Sequence, residues 1–269
     1  MTMLSPDHQQ PPIALTIAGS DSGGGAGLQA DLRTFMAFRV HGCCAITCVT
    51  AQNTCGVQRV DALPASALAA QLEAVRTDLP VAALKTGMLL NAELIECTVE
   101  QLSSWPIWRV IDPVMVSRTG AVLLETAALE AIKQKLLPLA DLITPNLHEA
   151  ALLSGIDLVD ANAAEQAASR LAAMGPKAVL IKGGGDPAWG GRDLLWNQGG
   201  LQWLEGERVN TTHSHGSGCT LAAAITANLA HQMSLPDAIE RARRYVRSAL
   251  QQSLAIGQGQ GPLCHWVSP

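Results

Sequence analysis

The sequence contains few aromatic residues and no excess of positive charge. Two Phe, six Trp and one Tyr are spread over 269 residues, so Ala, Leu, Val and Ile must fill the core. Lys and Arg total 18 against 23 Asp and Glu, which gives a formal charge of −5. A general nucleic-acid binder needs clustered basic surface to neutralise phosphates. We therefore expect no nucleic-acid partner.

Long apolar runs are also missing. The longest run, residues 221–230, is about half the length that a membrane-spanning helix needs, and it contains Thr226 and Asn228. Residues 1–12 include neither a basic region nor an apolar one, so we expect no secretory signal. The sequence thus predicts a protein that does not bind membranes.

Cysteine pairs of the CxxC type are absent. The seven cysteines are an odd number, which argues against a disulfide framework and a zinc ribbon in a chain of this length. We expect a cytoplasmic protein whose thiols mostly act as small buried hydrophobic side chains. Cys219 is the expected exception.

Hydrophobic residues make up 48% of the chain, which is enough to bury a core. Short runs rich in Val and Ile alternate with stretches of helical period as far as Lys182. This alternation predicts an α/β fold in which helices cover both faces of a mostly parallel sheet. Strands are predicted at residues 13–18, 44–50, 82–86, 109–111, 142–144 and 178–182. Helices are predicted at residues 28–38, 66–78, 92–102, 126–137, 147–154, 163–174, 220–232 and 235–252.

The pattern changes after Gly183, where residues 193–196 and 200–207 predict an antiparallel hairpin at one margin of the sheet. No Pro/Gly/Ser linker divides the chain. We therefore predict a single domain over residues 13–269, preceded by a disordered or extended tail over residues 1–12.

Polar, glycine-rich segments follow the predicted strands. In open α/β sheets, ligands bind at the carboxyl ends of the strands. Loops this rich in glycine favour a ligand whose charge is bound by backbone N–H groups. The segments are residues 19–27, 51–56, 87–88, 112–120, 145–149, 183–186 and, before the penultimate helix, 213–220.

The first of these segments is part of TIAGSDSGGGAGLQAD, residues 16–31. It is not a dinucleotide fingerprint, because the third glycine position falls on Leu28, and it is not a P-loop, because no GK[ST] follows. Asp31 is expected on the second turn of the following helix. It is either a site residue or an ordinary solvated one.

The segment HSHGSGCT, residues 213–220, precedes an apolar helix that is predicted to begin near Cys219. Gly216, Ser217 and Gly218 let a ligand approach the backbone, and the helix N-terminus is an anion site. A thiol at such an N-terminus is expected to have a lowered pKa. The alternative is a glycine-rich turn with Cys219 as core filler, and we favour the functional interpretation.

His213 and His215 lie two residues apart in this loop, with no acidic residue near them in the sequence. Such a pair is weak evidence for a metal site. We therefore expect no metal ligand from these histidines.

Four further polar residues are candidates. Asp112 follows a strand, where an acid suits Mg²⁺ or a phosphate-bound water, although Asp-Pro also starts turns. Asn146 is expected to cap the next helix, with Glu149 completing a capping box. Lys182 is a candidate cation for a polyphosphate, against the default of a surface lysine. Together with the glycine-rich loops, these residues predict phosphoryl transfer without a Walker motif.

Six segments carry a resemblance to a known family. They are AGSDSGGGAGLQAD (18–31), TAQNT (50–54), KTGML (85–89), DPVMV (112–116), TPNLHEA (144–150) and HGSGCT (215–220). In this order they resemble the hydroxymethylpyrimidine/phosphomethylpyrimidine kinases of thiamine biosynthesis, which belong to the ribokinase-like superfamily. The resemblance runs from about residue 13 to residue 265.

The resemblance implies a ribokinase-like α/β fold without a separate lid domain. It also implies an ATP- and Mg²⁺-dependent kinase that phosphorylates 4-amino-5-hydroxymethyl-2-methylpyrimidine and then its monophosphate. Members are commonly homodimers, so a homodimer is expected.

The resemblance also implies roles for individual residues. Gly19, Asp31, Gln52, Met88 and Val114 would bind the substrate, with Gln52 on the aminopyrimidine edge and the last two residues on the ring. The residues implied in catalysis are Asp31 and Cys219, near the reactive hydroxyl, and Gly216, Ser217 and Gly218, whose N–H groups join that of Cys219 in an anion hole. Cys219 would be the base. On the nucleotide side, Asp112 and Glu149 would act on Mg²⁺ or its waters, with Asn146 and Lys182 beside them.

The chain departs from the family pattern at five positions. Arg118 stands where many relatives have Lys, and Ala121 where they have Asp, which puts nucleotide contacts around Arg118 in question. The other three departures are Arg39 and His41, for Gly and Tyr, and Gly185, for His.

Two alternatives stay open. One is a pyridoxal kinase on the same scaffold, and the other is a non-catalytic pyrimidine-binding protein. Gln52 favours the aminopyrimidine over pyridoxal. The presence of Asp31, Asp112, Lys182 and Cys219 disfavours a non-catalytic protein.

Overall fold

Valine- and isoleucine-rich runs form a nine-stranded sheet in the part of the chain that the structure, a computed structural model, describes: residues 10–115 and 126–269. The strands are β1 (Ile13–Asp21), β2 (His41–Asn53), β3 (Gly56–Ala62), β4 (Ala83–Thr86), β5 (Trp108–Ile111), β6 (Leu142–Ile143), β7 (Val179–Lys182), β8 (Asp193–Asn197) and β9 (Gly200–Leu204). The helices are α1 (Gly27–Ala37), α2 (Ala65–Asp78), α3 (Ala92–Ser103), α4 (Thr126–Ala131), α5 (Leu147–Ser154), α6 (Ala161–Ala172), α7 (Ser217–Ala230) and α8 (Leu235–Gln251).

The strand order is β3-β2-β1-β4-β5-β6-β7-β8-β9. The six neighbouring strands β2, β1, β4, β5, β6 and β7 pair in parallel. Beyond β7, β8 and β9 add an antiparallel margin. All described strands belong to this sheet, so the described residues form no separate lid domain. The predicted fold class is confirmed.

A second antiparallel margin was not predicted. β2 continues to Asn53, and β3 then pairs with it antiparallel, where the sequence predicted only a loop at residues 51–56. The turn residues are Thr54 and Cys55, which lack the Asn-Gly or Asp-Gly signal of two-residue hairpins. The side chains of β3 are half-buried or exposed. This edge strand therefore lacks the hydrophobic alternation that reveals a strand in a sequence.

Helices cover both faces of the sheet, as predicted. On one face, α7 is buried from Thr220 to Ala230, and its run of alanines lets it pack closely against the central strands. Phe35 of α1 and Tyr245 of α8 complete this core. The core of the other face is built on leucines such as Leu68 and Leu94. None of the helices within the described ranges is long and apolar enough to span a bilayer.

Several boundaries differ from the prediction. β1 runs to Asp21 rather than ending at Ala18, and α7 begins at Ser217. α4 is followed by a π-helical turn and a 3₁₀ turn that contains Pro138, a residue without an N–H donor. Residues 10–12 form no helix or strand, and residues 1–9 of the predicted tail lie outside the described ranges. The single domain stays a prediction.

Candidate active site

Two glycine-rich loops meet at the carboxyl edge of the sheet, one between β1 and α1 and one before α7. Gly27 has a φ of +54° and Gly216 a φ of +84°, in the left-handed region that favours glycine. A Cβ on Gly216 would overlap the carbonyl oxygen of Gly25. The loops interlock because these positions carry no side chain.

Asp21, at the end of β1, holds both loops. Its Oδ1 accepts a hydrogen bond from the Gly23 N–H at 2.8 Å, and its Oδ2 accepts from the N–H groups of Gly25 and Ala26 at 3.0 and 2.9 Å. His215 Nε2 also lies 3.0 Å from Asp21 Oδ2. Burial raises the pKa of Asp21, but the bonds from His215 and the amides lower it below its usual value. His215 thus has an acidic partner that is 194 residues away in the chain.

A cavity of about 180 Å³ lies between these loops. Gln52 contributes its carboxamide to the wall, with Oε1 3.2 Å from Thr50 Oγ1 and Nε2 3.2 Å from His215 Nε2. Twelve of the thirteen residues predicted for the site line this cavity. They are Gly19, Gln52, Met88, Asp112, Val114, Asn146, Glu149, Lys182, Gly216, Ser217, Gly218 and Cys219.

Cys219 is the third residue of α7. Gly27, in the first turn of α1, lines the same cavity, so the N-termini of two helices meet there. The expected lowering of the thiol pKa is nevertheless wrong. Burial raises the pKa of Cys219 to about 11 and outweighs the lowering effects of Lys85 and the Gly27 N–H.

Asp31 is the predicted site residue that does not line the cavity. Its carboxylate is fully buried and accepts hydrogen bonds from Lys85 Nζ at 2.9 and 3.0 Å and from Thr16 Oγ1 at 2.6 Å. The alternative of a solvated helix residue is wrong as well. Direct contact between Asp31 and a substrate hydroxyl finds no support in this geometry, because Lys85 takes up both carboxylate oxygens.

Lys182, which is partly exposed, and the buried Asp112 form a second lysine–carboxylate pair at the ends of β7 and β5. Lys182 Nζ donates to Asp112 Oδ1 at 2.6 Å, and Thr144 Oγ1 donates to the same oxygen at 3.0 Å. Burial lowers the pKa of Lys182, but the charges of Asp112 and Glu149 raise it above its usual value. Lys182 is therefore a protonated cation in the cavity wall and not the surface lysine of the default interpretation.

Glu149 forms the predicted capping box at the start of α5. The Asn146 N–H donates to Glu149 Oε2 at 2.8 Å, and the Glu149 N–H donates to Asn146 Oδ1 at 2.9 Å. Burial raises the pKa of Glu149 to about 7, although Lys182 lowers it. The positive charge of Lys182 therefore does not fully offset the cost of burying an ionised Glu149.

A larger groove of about 730 Å³ lies on the other side of Lys182. Its walls include Gly185, residues of the β9–α7 connection and arginines of α8 such as Arg243. Four residues line both the groove and the smaller cavity: Asn146, Lys182, Ser217 and Gly218. The two spaces therefore meet at the N-terminus of α7.

The donor set fits a magnesium ion that is held mainly through phosphates. The cavity wall contains three carboxylates, and Asp21 already accepts bonds from loop amides, which leaves Asp112 and Glu149 as the candidates for the ion. Mg²⁺ is usually bound by one or two carboxylates together with phosphates and waters. The raised pKa of Glu149 is consistent with a place for a cation. Within residues 10–115 and 126–269, no group of three His, Cys, Asp or Glu residues could hold a metal alone. His213 instead accepts a hydrogen bond from the Gly261 N–H.

The departures from the family pattern have different outcomes. Arg39 has a φ of +57°, a conformation that favours the glycine found in relatives, and His41 begins β2. Gly185 faces open space in the groove, so a histidine would fit there. Arg118 and Ala121 lie outside the described residues.

Comparisons with known proteins identify the family of this chain. The sequence profile of the phosphomethylpyrimidine kinase family matches residues 21–264. The chain belongs to this family. A hydroxymethylpyrimidine/phosphomethylpyrimidine kinase from Synechococcus elongatus is 58% identical over 258 residues, which cover 95% of this chain and 97% of the relative. A thiamine biosynthesis bifunctional protein from Geobacter sulfurreducens is 42% identical over 93% of this chain and 51% of its own length.

A solved structure shows the same fold. The ADP complex of Bacillus subtilis pyridoxal kinase has a TM-score of 0.88 and 36% identity, and the match covers 95% of this chain and 97% of that one. The predicted family, the ribokinase-like fold and the assignment as a phosphotransferase of thiamine biosynthesis are confirmed. The chain is thus a member of a kinase family that uses ATP, whereas Mg²⁺ stays a prediction.

Proposed function

We propose that the protein transfers the γ-phosphoryl group of ATP to the hydroxyl of 4-amino-5-hydroxymethyl-2-methylpyrimidine and then phosphorylates the monophosphate to the diphosphate. The observation that carries this proposal is the wall shared by the two spaces, formed by Asn146, Lys182, Ser217 and Gly218. A nucleotide in the groove and a small acceptor in the cavity would meet there, at a helix N-terminus suited to a phosphoryl group.

The smaller cavity suits an aminopyrimidine. The carboxamide of Gln52 offers both a donor and an acceptor, which matches an amino group beside a ring nitrogen. Met88 and Val114 supply apolar contacts for the ring. Gly19 makes room for Met88, because a Cβ there would lie 2.8 Å from Met88 Cε.

The chemical step proceeds by displacement at phosphorus. The substrate oxygen forms a bond to the γ-phosphorus, the bond to the β–γ bridging oxygen breaks, and ADP leaves with that electron pair. Cys219, as the thiolate, takes the hydroxyl proton, while Lys182 and the first N–H groups of α7 stabilise the charge on the moving group. The Ser217 N–H already donates to Ser214 O at 3.2 Å, so the anion hole depends on the amides of Gly216, Gly218 and Cys219.

Magnesium would be held by Asp112 and Glu149, directly or through waters. Bound there, it would neutralise negative charge on the nucleotide phosphates. Asn146 would hold Glu149 in place through the capping box.

The two phosphorylations make different demands on Cys219. The first acceptor is an alcohol, which must lose a proton to attack. The second acceptor is a phosphomonoester, whose second pKa near 6 leaves it ionised at neutral pH. Cys219 is therefore needed mainly for the first phosphorylation.

The test measures ATP turnover in a coupled assay that detects ADP. The substrates are hydroxymethylpyrimidine, its monophosphate and pyridoxal, each with and without Mg²⁺. We expect Mg²⁺-dependent turnover of both pyrimidines and slower turnover of pyridoxal. Preferred turnover of pyridoxal would support the pyridoxal kinase alternative, which the similarity to the Bacillus subtilis enzyme favours. Thermal stabilisation by the pyrimidine without ADP release would support a non-catalytic binding protein.

The homodimer and the cytoplasmic location stay predictions. Sedimentation of the purified full chain tests the first, since a dimer would have twice the 28.2 kDa of the chain. Fractionation of cells that express the full chain tests the second.

A further inference from the structure

Lys85 is a buried lysine to which the sequence analysis assigned no role. It lies on β4 directly beside Thr16 of β1, and its side chain and that of Asp31 have no exposed surface. A Cβ on Gly87, which lines the smaller cavity, would lie 3.4 Å from Lys85 Nζ. The ammonium group therefore lies just beneath the floor of the cavity.

The start of α1 joins this lysine to the candidate base. Gly27 and Cys219 both line the smaller cavity, and the Gly27 N–H lowers the pKa of the thiol. Asp31, four residues later on the same face of the helix, binds Lys85. Lys85 and Cys219 interact electrostatically across this short span.

Among the described residues, charged groups of both signs act on the sulfur. Lys85 on β4 and Lys182 on β7 favour its anionic form, while Asp31 on α1 and Asp112 after β5 oppose it. Lys182 also borders the nucleotide groove, where it would be shared with the phosphates. Burial lowers the pKa of Lys85, but the nearby Asp31, Cys219 and Asp112 raise it above its usual range, so this sealed lysine keeps its charge.

We propose that Lys85, held by Asp31, is a positioning residue whose ammonium group stabilises the thiolate of Cys219. The thiol releases its proton to solvent through the cavity, and the thiolate then accepts the proton of the substrate hydroxyl. Asp31 holds Lys85 in place through two hydrogen bonds, while its negative charge partly offsets the effect of Lys85 on the sulfur. This inference rests on the proposed role of Cys219 as the base, and its test measures the thiol itself.

The experiment measures how fast iodoacetamide alkylates Cys219 between pH 7 and pH 9 in the full chain. The Cys219 peptide is quantified by mass spectrometry against the peptide of Cys55, an exposed cysteine in the same sample. In Lys85→Met, we expect the relative rate to fall by about tenfold or more at each pH, since one pKa unit changes the thiolate fraction tenfold. Asp31→Asn keeps one oxygen that can accept a bond from Lys85 and removes the opposing negative charge, so we expect the rate to rise by a similar factor.

Opposite signs distinguish this role from a purely structural one, because a loosened fold would expose Cys219 and raise both rates. If Lys85→Met does not fold, the comparison uses Asp31→Asn against the double variant Asp31→Asn/Lys85→Met. The double variant should then react about tenfold more slowly than Asp31→Asn. Equal rates, or a change of the same sign in both single variants, would overturn the proposal. A separate result would show that Cys219 is not the base. In that case Cys219→Ala would keep full turnover, while Lys85→Met and Asp31→Asn would still shift the alkylation rate of Cys219 as expected.

Discussion

Two lysine–carboxylate pairs act on Cys219 and differ in their surroundings. Lys85 and Asp31 are sealed, with 0% of either side chain exposed, whereas Lys182 and Asp112 are 14% and 2% exposed. The sealed pair lies between the sheet and α1. The other pair lies in a wall shared by the groove and the cavity.

This difference separates two uses of a buried cation. A charge that is sealed in protein keeps one partner and acts on its neighbours through a constant field. A charge at a cavity wall can change partners when an anion arrives. The desolvation cost is higher for the pair of Lys85 and Asp31, which is fully buried. Removing one partner of this pair should therefore lower the free energy of unfolding more than removing one partner of the other pair.

The largest expected effect is on folding. Lys85→Met leaves Asp31 as a buried carboxylate without its cation, and breaking such a pair typically costs about 3–5 kcal/mol. We expect a loss of this size in urea denaturation of the full chain. Asp31→Asn/Lys85→Met should recover most of it. A Lys85→Met variant as stable as the parent would contradict the account of the sealed pair.

Lys182→Met should lose activity rather than stability. Removing a positive group from the site of transferred charge is expected to lower turnover of ATP and the pyrimidine by about 10²–10³-fold. The unfolding free energy should fall by less than in Lys85→Met, since Lys182 is partly exposed. Lys182→Arg is the matched control that keeps the charge. If Lys182→Met lost as much unfolding free energy as Lys85→Met, the proposed difference between the two pairs would be contradicted.

His265 shows what burial does to a titratable group that is paired with a hydroxyl group. Burial lowers the pKa of His265 to about 4, and its Nε2 lies 2.9 Å from Thr220 Oγ1. The unfolded chain binds a proton near pH 6.5 but the folded chain does not, so stability falls as the pH drops from 6.5 to 4. The loss approaches about 3 kcal/mol.

The check on this prediction is the urea midpoint measured across that pH range. His265→Gln should flatten the pH dependence while it keeps a side chain that can bond to Thr220. The same slope in the variant and the parent would contradict the assignment to His265.

The smallest effect is expected for an ion pair on the surface. Lys135 Nζ pairs with Glu96, and both side chains are about half exposed. Exposed pairs contribute little because water screens them. Glu96→Gln should therefore leave the urea midpoint unchanged within error. A clear shift would show that the exposure of an ion pair does not by itself determine how much the pair contributes to stability.

Much of the fold could be predicted because the hydrophobic pattern is strong in its parallel strands. The β3 hairpin was missed because its strand is exposed and its turn residues are atypical. The site residues could be named largely from loop segments at strand ends, which this fold class brings together at one edge of the sheet.

The electrostatics of the site could not be predicted in the same way. A helix N-terminus suggested a lowered thiol pKa, but the degree of burial of Cys219 is a property of the packed chain. The partners of Asp31 and His215 are 54 and 194 residues away. Pairings over such separations leave no local signal in a single sequence.

The most direct test of the account is Cys219→Ala, because both lysine pairs are interpreted through this sulfur. We predict that the kcat of the first phosphorylation falls by about 10²–10⁴-fold. The affinity for hydroxymethylpyrimidine, measured by calorimetry, should stay nearly unchanged, and phosphorylation of the monophosphate should fall less. Near-full turnover of hydroxymethylpyrimidine by a folded Cys219→Ala enzyme would contradict the account.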